Sequence, residues 1–178
     1  MRRKIILTTV LLFLLGHSWA CSCMGPGTVK EEFKKKELII YGRVISKELV
    51  SPSETIREDM VKDVRSRLKD DKQKLNFFDT DYIFEVKLEV IEKYKGVDIR
   101  DTVTIYTAMK SATCGYAFEK DKVYIIYASK RSYMDFMFLA ESDRDKNFEK
   151  KNTYWTTHCS RTTEYNKLEA DELKTLKE

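Results

Sequence analysis

The clearest pattern of hydrophobic and polar positions lies in residues 81–95. Apolar and charged side chains alternate there with a period of two, which predicts a β-strand with one buried and one solvated face. Charged residues such as Lys87 and Glu89 fill the solvated face. The apolar positions are Tyr82, Phe84, Val86, Leu88 and Val90.

Four more segments have apolar runs of strand length. Gly42, inside the first of them, predicts a bulge or a tight bend. Five strands of antiparallel character with helices at their margins predict a mainly β fold, organised as a small closed or partly open barrel. The four segments are residues 38–47, 102–107, 122–129 and 134–140, and an extended stretch is expected at 154–159.

Three segments predict helices. Thr28 can cap a short helix that ends near residue 36. Residues 54–75 combine many charges with apolar side chains at helical spacing, which predicts an amphipathic surface helix inserted between two strands. A partner-binding arm is the alternative interpretation of that helix. Residues 162–177 predict a C-terminal helix, capped by a threonine at 162 or 163, that turns inward Tyr165, Leu168, Leu173 and Leu176.

The first twenty residues have the organisation of a signal peptide. A basic start at residues 2–4 precedes an apolar run at residues 5–15, and Ser18 and Ala20 supply the small side chains that a signal peptidase requires. The apolar run is much shorter than the roughly 20 residues that span a bilayer. We therefore expect cleavage after Ala20 and a single exported domain of residues 21–178, secreted or, in a bacterium, periplasmic or at the cell surface.

Removing this leader changes the charge of the protein. The whole chain has 33 basic and 29 acidic residues. Arg2, Arg3 and Lys4 leave with the leader, so 30 basic residues then face 29 acidic ones. A nearly neutral protein gives no support for nucleic-acid binding.

Four cysteines in an exported chain predict two disulfides. Cys21 and Cys23 are two residues apart, a spacing that disulfide geometry rarely tolerates. Two pairings remain open, and both tie the first three residues of the mature chain to Cys114 and Cys159.

The sequence offers few of the residues that enzymes need. His158 is the single histidine left after removal of the leader, and no nucleophile-elbow, phosphate-loop or zinc-protease motif occurs. A zinc site made from the cysteines would need Cys21 and Cys23 as ligands, but their spacing is tighter than zinc sites use. We expect no enzymatic activity and no cofactor of the protein's own.

Cleavage before a cysteine would create a group that can bind a metal. The free α-amine and the carbonyl oxygen of Cys21 could close a five-membered chelate on a zinc ion. The pKa of an α-amine is about 7.7–8.0, so a useful fraction is neutral at physiological pH. Such a chelate could displace the water from the open position of a protease zinc. The alternative is that two disulfides merely fix a chain terminus.

Three short stretches resemble one family, the tissue inhibitors of metalloproteinases, within the wider group of netrin-like domains. They are Cys21-Ser22-Cys23 directly after the leader, Ser111-Ala112-Thr113-Cys114-Gly115-Tyr116 before a strand, and Thr157-His158-Cys159. In order, the resemblance covers residues 21–165. It implies a five-stranded OB-fold-like barrel and the disulfides Cys21–Cys114 and Cys23–Cys159.

The resemblance also implies a function and a set of contact residues. The protein would inhibit a zinc metalloprotease, with the amine and carbonyl of Cys21 bound to the protease's own zinc. Ser22 would point into the specificity pocket beside the metal, and Cys23 and Met24 would continue the same wedge. A second part of the contact ridge would be Ser111, Ala112 and Thr113. The inhibitor is expected to act as a monomer.

The chain departs from the family in ways that keep two other functions open. It lacks the third disulfide and the cysteine-rich second subdomain of animal members, and residues 54–75 enlarge the loop between its first two strands. A netrin-like module can bind or adhere without inhibiting a protease. Cys21 could instead be the lipid anchor of a bacterial lipoprotein, although leucine is missing from the third position before it. Acylation would remove the lone pair that chelation needs.

Overall fold

The computed structural model describes residues 25–97, 99–109, 114–130, 148 and 150–177. Within them, the secondary structure confirms the predicted class, a mainly β protein with flanking helices. The α-helices are α1 (Val29–Lys35), α2 (Glu58–Leu68), α3 (Lys72–Thr80) and α4 (Lys167–Lys177). The strands are β1 (Leu38–Val50), β2 (Ile83–Lys95), β3 (Thr102–Ala108), β4 (Val123–Ala128), β5 (Thr153–Trp155) and β6 (Thr163–Glu164).

The strands form one mixed sheet in the order β5-β3-β2-β1-β4-β6. Its pairs are antiparallel except β3 with β5, which run parallel. Among the described residues, strand pairing does not close the sheet into a barrel. One isolated antiparallel bridge joins Ser129, just after β4, to Trp155 in β5, with N–H···O distances of 2.9 and 2.7 Å.

The long β1–β2 pair confirms two predictions from the sequence. In β2, Val86 and Leu88 are fully buried and Lys87 and Glu89 are exposed, as the alternating pattern requires. The pattern was wrong for Tyr82, which precedes the strand and is 53% exposed. The β1–β2 register shifts at Gly42, where a Cβ would lie 2.9 Å from the carbonyl oxygen of Glu89. Gly42 therefore marks a bulge because its backbone approaches the neighbouring strand too closely for a side chain.

Buried side chains form a core on one face of the sheet and two helix-covered cores beside it. The core on one face of the sheet contains side chains of β1 to β5, and Tyr116 and Phe118 pack around Tyr124 there. A second core lies beneath α1 and α4. A third lies beneath α2 and α3. The first core contains Leu38, Ile40, Val44, Val86, Leu88, Val103, Ile105, Phe118, Tyr124, Ile126, Ala128 and Tyr154.

The two terminal helices agree only in part with their predictions. Thr28 caps α1 as predicted, and Leu173 of α4 is fully buried. However, α4 begins at Lys167 and not at residue 162, and Leu168 and Tyr165 are exposed. The prediction was wrong because the chain before α4 stays extended and pairs with β4 as β6.

Residues 54–75 do not form the single helix that their spacing predicts. A 3₁₀ turn at Pro52–Thr55 comes first, and α2 and α3 follow with a break between them. Asp71 causes a new start, because its side chain accepts a hydrogen bond from the Lys74 amide and caps α3. The apolar stripe is confirmed: Val64 and Leu68 are buried with Phe78 of α3.

The strand predicted at 134–140 lies outside the described residues. Among the residues that the structure describes, no helix combines the length and the apolar character that crossing a bilayer requires.

Candidate functional site

The predicted contact residues fall outside the part of the chain that the structure describes. This holds for Cys21, Ser22, Cys23 and Met24 of the N-terminal wedge, and for Ser111, Ala112 and Thr113 of the ridge. The described residues that flank them define the surroundings of the site. They are Gly25–Thr28 after the wedge, Cys114–Tyr116 after the ridge, and the segment 156–162 around Cys159.

The chain that follows the predicted ridge is held against the end of β3. A Cβ on Gly115 would lie 1.9 Å from the carbonyl oxygen of Ala108, so this position has no room for a side chain. The next residue, Tyr116, donates its amide to the buried Thr107 hydroxyl at 2.8 Å. These contacts fix Cys114 to the sheet, because its immediate neighbour cannot move away from the strand without losing them.

Cys114 adopts a backbone conformation that non-glycine residues rarely use. Its φ is +61°, in the left-handed region. Its carbonyl oxygen accepts a hydrogen bond from the amide of His158 at 2.7 Å. Because His158 directly precedes Cys159, this bond brings the backbones of the two cysteine segments together.

The segment that contains Cys159 is anchored on the opposite side by two threonines. The Thr156 amide donates to the Tyr106 carbonyl at 3.1 Å, and its hydroxyl donates to the Tyr127 carbonyl at 2.9 Å. The Thr162 hydroxyl accepts from the Tyr127 amide at 3.0 Å and lies 2.8 Å from the Thr156 hydroxyl. Both threonines are buried, so their hydroxyls hold the two ends of the turn to β4.

Between these threonines the chain makes a tight turn. The Ser160 amide donates to the Thr157 carbonyl at 3.0 Å, and His158 and Cys159 occupy the middle of the turn. His158 is exposed there. Cys159, the next residue of the turn, is partly buried, and its neighbour His158 is bonded to Cys114.

A partly buried ion pair follows the turn. Arg161 binds both carboxylate oxygens of Glu169 in α4, with Nε–Oε1 and Nη2–Oε2 distances of 2.9 and 3.0 Å. The Tyr127 hydroxyl donates to Oε1 of the same carboxylate at 2.7 Å. Burial first, and then this bond, raise the pKa of Tyr127. The hydrogen bond and charge of Glu169 outweigh burial and raise the pKa of Arg161, so the guanidinium stays charged.

The N-terminal segment reaches the same region. The Gly27 carbonyl accepts a hydrogen bond from Nη1 of Arg161 at 3.0 Å. Thr28 and Glu31 form a reciprocal capping box, with Thr28 N–Glu31 Oε2 at 2.8 Å and Glu31 N–Thr28 Oγ1 at 3.3 Å. The hydrogen bond from the Thr28 amide, followed by the one with its side chain, lowers the pKa of the Glu31 carboxyl group. Val29 is buried against α4 residues, so the path of the chain is fixed from Gly27 onward.

Neither Cys114 nor Cys159 is a free thiol. Their pairing with Cys21 and Cys23 stays a prediction. Among the described residues, no group of three or more His, Cys, Asp or Glu side chains is placed to hold a metal ion. What the arrangement can do is hold together three chain segments, each within four residues of a cysteine in sequence.

Sequence reasoning missed the residues that build this junction. Arg161 and Glu169 are eight residues apart and belong to different elements, so no helical or strand period relates them. The hydroxyls of Thr156 and Thr162 bond to the backbone of Tyr127, which is 29 and 35 residues away in sequence. Gly115 offered a signal, since a glycine after a cysteine at the end of a strand is a candidate for close backbone approach.

No protein-family model matches this sequence, and no curated protein matches it either.

Proposed function

We propose that the mature protein is an exported inhibitor of a zinc metalloprotease and that Cys21 is its zinc-binding residue. The α-amine and carbonyl oxygen of Cys21 would bind the catalytic zinc of the protease. Ser22, Cys23 and Met24 would occupy the adjoining cleft, and residues 111–113 would extend the contact. The protein needs no metal of its own, since the protease supplies the zinc.

The observation that supports this proposal most is the meeting of three chain segments. The His158–Cys114 hydrogen bond of 2.7 Å places the segments of Cys114 and Cys159 side by side. The Arg161–Gly27 bond of 3.0 Å brings the N-terminal segment to the segment of Cys159. Two neighbouring partners are what two cysteines separated by one residue would require.

Chain length agrees with this pairing. Four residue steps separate Cys23 from Gly27, and an extended chain spans at most about 3.3–3.6 Å per residue. Arg161 is two residues from Cys159. A chain held at Gly27 can therefore bring Cys23 within reach of Cys159, and the contact of Cys114 with His158 places the two partner segments close together. The specific pairs Cys21–Cys114 and Cys23–Cys159 are those that the family resemblance implies.

Disulfides at the first and third residues would contribute to affinity by limiting motion. A flexible terminus must be ordered when it binds, and that ordering reduces affinity. A terminus held by two disulfides has lost this freedom before it meets the protease. The left-handed backbone of Cys114 and the crowded Gly115 extend the same rigidity to the second segment.

We also propose that the sheet is an OB-type barrel. Its support is the pairing of β1 with both β2 and β4, the parallel β3–β5 pair, and the Ser129–Trp155 bridge. Together these contacts lead from β1 through β2, β3, β5 and β4 back to β1. The pairing of Ser129 with Trp155 is the contact on which closure depends.

The decisive experiment compares two forms of the N-terminus. One preparation begins at Cys21, and the other has an additional alanine before it. Both are titrated against a panel of zinc metalloproteases, and intact mass confirms the terminus and the oxidation of all four cysteines. We expect the first to inhibit at least one protease and the second to lose at least about a hundredfold in affinity, because its first amine no longer forms a chelate with the Cys21 carbonyl.

Two outcomes would overturn the proposal. Equal inhibition by both forms would exclude chelation by the Cys21 amine. A mass increase from acylation at Cys21 would make the protein a lipoprotein and remove the amine's lone pair. Partner binding that is indifferent to the added alanine would instead favour the netrin-like binding module.

A further inference from the structure

We propose that Arg161 is a positioning residue that fixes the N-terminal segment relative to the cysteine turn. The inference rests on the proposed function, because it assigns to Arg161 the alignment of the inhibitory terminus. It concerns described residues, namely Arg161, Gly27, Glu169 and Tyr127.

Arg161 uses three different nitrogens for this task. Nε and Nη2 bind the two oxygens of Glu169 at 2.9 and 3.0 Å, and Nη1 donates to the Gly27 carbonyl at 3.0 Å. Two bonds therefore set the plane of the guanidinium, and the third transmits that orientation to the N-terminal chain. A planar group with fixed donor directions suits such a role better than the single nitrogen of lysine.

The base of this arrangement is rigid. The Glu169 side chain is only 6% exposed and also accepts the Tyr127 hydroxyl at 2.7 Å. Tyr127 itself is fully buried in β4. The carboxylate is thus held from two sides by groups of the sheet and the cysteine segment, and its own helix packs on the core through Leu173. A buried, fully paired charge holds one geometry because leaving it unpaired is costly.

The position of Arg161 in the chain gives the contact its consequence. Cys159 lies two residues before it, and Cys23 lies four residues before Gly27. The hydrogen bond and the proposed Cys23–Cys159 disulfide would then close a small ring, with one weak and one covalent link. Such a ring fixes the direction in which the chain leaves Gly27, whereas one link alone would leave it free to pivot.

The test uses Arg161→Gln and Arg161→Lys in the mature protein beginning at Cys21. Backbone ¹⁵N relaxation of the free protein gives order parameters for Gly25 and Gly27. In the parent protein we expect values near about 0.85, and in both variants values that fall toward about 0.6, since neither side chain can bind Glu169 twice and Gly27 as well. Inhibition of the target protease should weaken by about tenfold in both variants.

Two controls separate positioning from stability. Arg65→Gln removes an exposed ion pair from the inserted helices and should leave both readouts unchanged. Val64→Ala removes buried packing beneath α2 and α3, in a different core from that of α4. It should lower the melting temperature while the order parameters of Gly25 and Gly27 stay at the parent values. If Val64→Ala mobilises these glycines as much as Arg161→Lys does, loss of stability explains the effect and the positioning role is wrong.

The relaxation measurement does not depend on any protease. Unchanged order parameters in both Arg161 variants would overturn the positioning role even if the parent protein inhibits. If the order parameters fall in the Arg161 variants but the parent protein inhibits no protease, the positioning role of Arg161 stands and the inhibitory function is rejected.

Discussion

Two ion pairs in different helical layers have similar geometry and different surroundings. Arg161 binds Glu169 from α4 with contacts of 2.9 and 3.0 Å, and Arg65 binds Asp79 between α2 and α3 with contacts of 2.8 and 3.1 Å. The Glu169 side chain is 6% exposed, whereas those of Arg65 and Asp79 are 50% and 28% exposed. Water therefore reaches both partners of the second pair, whereas in the first pair it reaches mainly Arg161, whose side chain is 28% exposed.

The difference shows which of the two helical layers holds its polar groups in a single arrangement. The inserted layer of α2 and α3 is attached by apolar side chains, and its ion pairs Arg65–Asp79 and Arg67–Asp63 lie near the surface, where such pairs contribute about 0–1 kcal/mol. The layer around α4 combines apolar packing with buried polar contacts that tolerate one arrangement. The Gly27 side of the cysteine junction is built on the second kind of layer, through Arg161 and Glu169. Its Cys114 side is attached to β3, whose Tyr106 also packs in the core beneath α2 and α3.

The largest effect is expected at Gly115, where the junction meets β3. Gly115→Ala would place a Cβ 1.9 Å from the Ala108 carbonyl, and the clash is with backbone that cannot turn aside. We expect a loss of about 3 kcal/mol or more, at the upper end of what overpacking costs. Urea unfolding measures it. Ser66→Ala in α2, at an exposed position, is the control and should change stability by less than about 0.5 kcal/mol.

The next effect is expected at Glu169. Glu169→Ala removes the partner of Arg161 and of the Tyr127 hydroxyl, and we expect a loss of about 3 kcal/mol, the lower part of the range for breaking a buried pair, since Arg161 is partly exposed. Replacing both charged residues by apolar ones should recover part of this loss. If the double variant is no more stable than the single one, the buried charge is not the source of the effect.

A pH dependence follows from the Tyr127 hydroxyl. Burial and the bond to Glu169 raise its pKa above the ordinary value of 10.0. Its contribution to stability is therefore complete below the pKa of the unfolded chain and is lost as pH rises through the folded pKa. We expect the free energy of unfolding to fall above pH of about 10, and to fall less steeply in Tyr127→Phe. Urea titrations between pH 8 and 11 test this, with Tyr165→Phe, at an exposed position, as the control.

The smallest effect is expected for the exposed ion pair. Arg65→Gln should lower the free energy of unfolding by no more than about 1 kcal/mol, because water replaces the lost contact. High salt should reduce even this difference. A loss comparable to that of Glu169→Ala would show that the two helical layers are fixed in the same way.

The local pattern of the sequence predicted the elements but not every boundary. The alternation in 81–95 and the Thr28 cap are properties of neighbouring residues, and both are confirmed. The inserted segment divided at Asp71 because a side-chain cap competes with helix continuation. The C-terminal helix started late because Thr162 binds the backbone of β4, which is 35 residues away.

The sequence by itself determined the mainly β class, the amphipathic insertion and the four cysteines that predict a tethered terminus. Those features depend on side-chain period and spacing, which are visible in one dimension. Only the tertiary structure decided that Cys114 meets His158, and that Arg161 joins Gly27 to Glu169. Those contacts join residues separated by up to 134 positions. Folding brings such distant groups together by burying apolar surface, and no local pattern records which polar groups then meet.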